Sequence, residues 1–434
     1  MGYQPKYIKK ETNSDIPSQS QKPVSGPKGE QVQPKKPAAK SNIPAPVTAL
    51  LVLLSMAMVA LLLRQMVFTV ARGTATAQAN PVNTGVKASF GVDLDNRISQ
   101  LRQDLSLGGM DAQGGEDTPE STEPVKVVYE IPAGTQVAPE PNQASFGQTD
   151  DPSSLQWLLD EAKTVLDGQS LFFTTDVELY PGSVVNYYLD DTIFAITWKQ
   201  VQDGGVYTYS EVKVNHPSQF RRHLSAGEYG SGKYYTTTEM AETVNAVVAS
   251  GGDFYSQRTF GVCVYEGELK KMDGTYSQTC FIDSNGDMSF VYAGDLLRKD
   301  EARAYIEEND VQFSLCFGPV LVDNYEVRET SSYGVGEPKD HYARAALCQM
   351  DTLHYLVAVA NQEGAYQRVP TVTEFAHQVA LTGCRMAYSL DGGQTASVVM
   401  NDQLINRPVY GEQRNISDII YFATAVPEGE GSNG

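Results

Sequence analysis

Strand-like runs outnumber helical ones in the C-terminal two thirds of this chain, and the two kinds do not alternate. That pattern predicts an α+β domain built on a mixed sheet. An uncharged 19-residue apolar segment, Ala45–Leu63, predicts a transmembrane helix ahead of that domain. Between the two lies a stretch rich in Gly, Pro, Glu and Asp, the composition of a flexible stalk.

The apolar segment extends about 28 Å at ~1.5 Å per residue, close to the hydrocarbon thickness of a bilayer. A cleaved signal peptide usually has a shorter apolar core and a short leading region. Here 44 residues precede the segment, and only a weak small-residue site follows it, at Thr74–Ala79. An uncleaved signal anchor over 43–68 is therefore expected. Residues 1–42 hold eight lysines against Glu11, Asp15 and Glu30, a local charge of +5 in a chain of net charge -20. Their Lys, Pro, Ser and Gln content predicts a disordered basic tail. Positive flanks stay cytoplasmic, so the C-terminal domain is expected outside the cell membrane on a single-pass anchor. The acidic remainder argues against a nucleic-acid partner.

Residues 69–153 read as the extracytoplasmic stalk. Within it Ile98, Leu101 and Leu105 fall at helical spacing, which allows weak self-association through a short coil. The folded domain is expected over 154–427, with 428–434 as a flexible tail. "SSLQWLLDEAKTVL" places Leu155, Leu158, Leu159 and Ala162 on one helical face. Strands follow at "SVVNYYL", "TIFAITWKQV", "VYTYSEVKV" and "TFGVCVYEG". Helical patterns recur over 238–250 and 373–381, the second opened by a capping box, Thr371 to Glu374, with Gly383 just past its end.

Five cysteines (Cys263, Cys280, Cys316, Cys348 and Cys384) show neither a CxxC pair nor metal-ligand spacing, and at most one disulfide is expected of them. The five histidines have no metal spacing either, so no metal and no cofactor is expected. Asp283–Asp287 (DSNGD) shares part of a calcium-loop pattern but lacks its sixth-position Gly and terminal Glu, which favours a hairpin.

"CRMAYSL" runs straight into Asp391-Gly392-Gly393. On composition alone this is an Asp-Gly hairpin turn. It is also the arrangement in which a strand-end carboxylate and bare backbone face a ligand. The surrounding residues add weight to the second reading. "YSLDGGQTASVVMNDQLINRPVYGEQRNISDIIYF" resembles the signature of the phosphodiester glycosidase family, with Asp391-Gly392-Gly393, Thr395, Ser397, Asn406, Pro408, Arg414 and Ser417-Asp418 in order. Upstream, "FGPVLVDNYEV", "ARAALCQMDTLHYLVAV", "YQRVPTVTEFA" and "AETVNAVVASGGDFY" resemble further family motifs. They set Arg344, Arg368, Glu374, Gly251 and Gly252 on family positions. The resemblance spans about residues 165–427. Departures occur at Gln394 and Ser250, where the family has Gly and Asn, and over Ala360–Gly364, where an Asp-Gly pair is missing.

The resemblance implies a hydrolase of sugar-1-phosphodiester bonds, with a glycan or sugar phosphate as substrate; joined to the expected anchor, it points to cell-envelope glycopolymers. The departures leave a second reading, a catalytically degenerate carbohydrate-binding or envelope-assembly protein. Breaking the anomeric C–O bond expels a phosphate ester, which needs charge neutralisation more than a strong acid. The guanidinium fork matches phosphate oxygens, and the sugar cation needs a carboxylate. The expected catalytic set is Asp391, Arg344 and Arg414. The expected substrate-binding set is Gly251, Gly252, Arg368, Gly392, Gly393, Thr395 and Ser397.

Overall fold

The computed structural model describes residues 127–334 and 337–429. The expected basic tail, the apolar segment and the helical pattern around Leu101 lie outside them. Among the described residues no helix is long and apolar enough to cross a membrane.

Two sheets face each other across the main core. The larger has nine strands in the order Glu326–Val327, Val320–Asp323, Met386–Leu390, Arg344–Asp351, His354–Asn361, Gly205–Val214, Ile193–Gln202, Val185–Leu189 and Phe146–Thr149. The smaller has five, in the order Gln403–Leu404, Val398–Met400, Val248–Gly251, Asp418–Phe422 and Phe220–Leu224. Alternate residues of both, such as Val212, Tyr355 and Leu390 from one and Val248, Val398 and Ile420 from the other, interlock as one apolar layer. The outer face of the large sheet is covered by helices Gln156–Glu161, Lys163–Leu166 and Val372–Ala380. Helix Thr237–Thr243 covers the outer face of the small one. The α+β expectation holds. Where a mixed sheet was expected, every strand pairing described is antiparallel.

Three local expectations need correction. The helix expected over 238–250 stops at Thr243, because Asn245 turns left-handed (φ 57°) and the following apolar run becomes strand Val248–Gly251. Asp391-Gly392-Gly393 is not a hairpin; it carries the chain from the large sheet, through a short 3-10 turn, into Val398–Met400 of the small sheet. The domain also begins well before 154. Tyr129–Glu130 pairs with Val426–Pro427, Ile131 and Ala138 are buried, and Phe146–Thr149 is an edge strand of the large sheet. Even the expected C-terminal tail is tied in at its start, since Glu428 N–H donates to Val128 O (2.8 Å). The Pro and Gly content that reads as stalk here serves turns between short strands. All five cysteines are buried thiols, and Asp283–Asp287 forms the expected hairpin, with Asp283 Oδ1 accepting the N–H of Asn285 and Asp287.

A chain starting at Ser154 is therefore expected to be much less stable than one starting at Glu120. It loses Ile131, Ala138 and the Phe146 ring packed 4.5 Å from Tyr188, worth at least about 3 kcal/mol of apolar burial. Equal thermal midpoints for the two would contradict this.

Candidate active site

Strand Met386–Leu390 ends beside strand Arg344–Asp351, with Leu390 opposite Ala345. Asp391 then leaves the sheet, and its N–H donates to Gly252 O (3.1 Å). One end of the large sheet is thereby tied to one end of the small sheet, and the site forms at that junction. Its glycines are required by the crowding of backbone there. A Cβ on Gly392 would sit 2.6 Å from Ala343 O, one on Gly251 would sit 2.5 Å from Thr395 O, and one on Gly252 would overlap the Asp418 carboxylate. Only Gly393 faces open space, and it is held at φ 62°.

Asp391 Oδ2 accepts from Arg414 Nη2 at 2.8 Å, with the two side chains 13% and 42% exposed. Burial raises the Asp391 carboxyl to about 6, against the lowering pull of the Arg414 charge, a Thr395 hydrogen bond and the Arg258 charge. This pair lies on a cleft of about 440 Å³ lined by Tyr234, Phe254, Gln257, Asp391, Arg414 and Asn415. A larger cleft, about 1370 Å³, opens between Tyr129, Lys163 and Asp191, and contains none of the motif residues.

Under the cleft is a buried charge network that sequence reading left unassembled. Arg222 Nε donates to Asp418 Oδ2 (2.8 Å), and its Nη2 lies 3.6 Å from Asp253 Oδ2. Asp253 N–H donates to the Asp418 carboxylate (3.1 Å). The Asp253 carboxylate accepts from the N–H of Phe254 (2.6 Å) and Cys316 (2.7 Å). Burial raises Asp418 to about 6 although Arg222 pulls the other way. The network fixes the turn Gly251–Phe254, and with it the carbonyl that anchors Asp391.

Several expected site residues lie elsewhere. Arg344 begins its strand beside Gly392, yet its guanidinium points to the loop carbonyls of Glu337 (3.0 Å), Asp340 (2.6 Å) and Pro370 (3.5 Å) and does not line the cleft. Burial lowers its pKa to about 10. It braces a loop, because alternation along the strand turns its side chain to the helix-covered face. Arg368 pairs on the surface with Asp203 and with Glu374 (2.8 Å) at the start of helix Val372–Ala380, outside the cleft. Ser397 is buried against Thr237 Oγ1 (2.6 Å), and the Thr395 hydroxyl donates to Gly392 O (2.8 Å), so both shape the loop. Asn406 closes that loop with bonds to Val398 N–H (2.8 Å) and Ala396 O (2.9 Å).

Arg258 is the cation that the motifs did not mark. Its guanidinium carbon lies 4.3 Å from the centre of the Phe317 ring and 5.5 Å from those of Phe254 and Phe260. Among the described residues no group of three His, Cys, Asp or Glu side chains is arranged as metal ligands.

Residues 242–423 match the sequence profile described as phosphodiester glycosidase. This segment is a phosphodiester glycosidase family domain. The match contains Gly251, Gly252, Asp391 and Arg414, whereas Arg222 and five strands of the two sheets precede it. Members of the family are hydrolases. Solved structures similar to the chain include the following two. The catalytic domain of zebrafish N-acetylglucosamine-1-phosphodiester alpha-N-acetylglucosaminidase, auto-inhibited by its pro-peptide, has 17% identity over 53% of this chain and 82% of that one, with a TM-score of 0.43. A hypothetical protein from Synechocystis has 13% identity over 58% of this chain and 64% of that one, with a TM-score of 0.41. The chain thus spans under two thirds of the Synechocystis protein. At these scores the family assignment rests on the profile match alone. No protein of curated function matches the chain.

Proposed function

We propose that this phosphodiester glycosidase domain hydrolyses sugar-1-phosphodiesters of cell-envelope glycans at the Asp391–Arg414 cleft. We propose further that it is held outside the membrane by the apolar segment 45–63. The observation that carries the reaction is the 2.8 Å pair between one partly buried carboxylate and one half-exposed arginine. The substrate phosphate competes with Asp391 for the Arg414 fork. That releases the carboxylate toward the anomeric carbon and neutralises the departing phosphate. Water supplies the oxygen that ends on C1, the C1–O bond to phosphate breaks, and a phosphate monoester leaves. Asp391 acts as its carboxylate, either on the sugar cation or on the attacking water.

The pH dependence follows from the sign of the shift. The ionised form is the active one and its pKa is raised to about 6, so kcat/KM is expected to fall as pH drops through about 6. Arg414 holds that value down, so Arg414→Gln should move the acid limb to higher pH. Well above pH 6, the same variant should lose far more activity on a sugar phosphodiester than on an aryl glycoside, whose leaving group carries no second charge. Equal losses on both substrates would remove Arg414 from the phosphate. A domain that binds glycans and turns over no phosphodiester would favour the carbohydrate-binding reading. For the anchor, protease added to intact protoplasts should digest the domain, and its protection would refute the outward topology.

A further inference from the structure

We propose that Arg258 is the second cation of the phosphate subsite and sets the preference of this cleft for sugar phosphodiesters over uncharged glycosides. The proposal rests on the glycosidase reading for its substrate class, but its physical basis is separate.

Acidic residues outnumber basic ones 53 to 33 in this chain. Arg222, Arg298, Arg368, Arg385 and Arg414 each have a carboxylate within ion-pair distance. Arg258 has none among the described residues; Arg221 and Arg328, also partly buried, have none either, and Arg258 differs from them in packing against the cleft-lining Phe254 ring. It is held instead by aromatic rings and by one hydrogen bond from Nη1 to Phe317 O (3.2 Å). This fixes the plane of the guanidinium without neutralising it, and spends one of its five N–H donors. A cation pre-positioned in this way has paid its ordering cost before an anion arrives.

Arg258 stands behind the cleft wall formed by Phe254, Ser256 and Gln257, next to the lining and not part of it. The Arg414 guanidinium carbon lies 5.3 Å from the centre of the Phe254 ring that Arg258 also approaches. Both guanidinium groups therefore approach the same ring, and both charges pull the Asp391 carboxyl down. A phosphodiester has two non-bridging oxygens and one charge, and its leaving group gains a second charge as the C1–O bond breaks. Arg414, once released from Asp391, supplies one charge to that change, and an unneutralised second cation adds to it. An aryl leaving group offers no such charge.

The test uses the full chain and inorganic phosphate as the probe. Isothermal titration should show phosphate binding that weakens about tenfold or more in Arg258→Gln, the loss of charge-assisted hydrogen bonds. The ratio of phosphodiester to aryl-glycoside kcat/KM should fall by a similar factor. Arg258→Lys keeps the charge and the alkyl stem on Phe317, so it should retain the fold and part of the phosphate affinity. If both variants melt as wild type and neither phosphate affinity nor the substrate ratio changes, the proposal is wrong while the glycosidase reading stands. If phosphate binding depends on Arg258 but the wild-type chain cleaves no sugar phosphodiester, the anion site stands and the glycosidase reading falls.

Discussion

Asp391→Asn is expected to lower turnover of sugar-1-phosphodiesters by about 10²–10⁴-fold, the usual value of a positioned carboxylate. The substitution nearly preserves shape, and the Asn carbonyl can still accept from Arg414, so the thermal midpoint should change little. What is lost is the negative charge facing the anomeric carbon. The pH profile carries the finer signature, because the limb near 6 belongs to Asp391 and should vanish with it. Wild-type rates in this variant, or a limb that persists unchanged, would move the reaction to another carboxylate. Asp253, the other carboxylate lining the cleft, is then the candidate, although its oxygens already accept backbone N–H groups.

The second large effect is on stability. Arg222→Met leaves Asp418 and Asp253 buried without their cation. Removing one partner of a buried pair costs about 3–5 kcal/mol, because the remaining charge is left uncompensated. For a domain of this size that corresponds to a thermal midpoint lower by roughly 10 °C. The double variant Arg222→Met with Asp418→Asn removes part of the stranded charge and should recover much of the loss. A single variant that melts like wild type would show that the network does not hold the Gly251–Phe254 turn.

The sequence made some parts of the molecule readable and hid others for physical reasons. β-branched and aromatic runs marked Ile193–Gln202 and Gly205–Val214, strands covered on both faces. The capping box at Thr371–Glu374 is a purely local device, and it is where it was expected. The run after Asn245 reads as helix because short apolar segments have no distinguishing period, and only pairing with Val398–Met400 and Asp418–Phe422 makes it a strand. Residues 127–149 were read as stalk because edge and turn segments share their composition with linkers. Helix Lys299–Glu308 went unmarked because its polar face dominates, with only Ala302 and Ile306 buried.

At the site, the pairing of Asp391 with Arg414 was legible through the family signature, since both lie in it. Arg344 and Arg368 were misplaced because a motif fixes where a residue sits in the chain, not where its side chain points. Strand alternation sends Arg344 to the helix-covered face, and Arg368 finds Asp203 and Glu374 nearer than the cleft. Arg222 and Arg258 carry no local signal. One gains its role from carboxylates on two other segments, the other from a cage of phenylalanine rings, and both are products of tertiary structure.

Hydrolysis of a sugar-1-phosphodiester in water enriched in heavy oxygen tests the central claim most directly, because it reports which bond breaks. A glycosidase working through Asp391 attacks carbon, so the label should appear in the C1 hydroxyl of the released sugar and be absent from the phosphate monoester. Label in the phosphate would mean attack at phosphorus and would contradict the assignment of Asp391 and Arg414 to glycosidic cleavage.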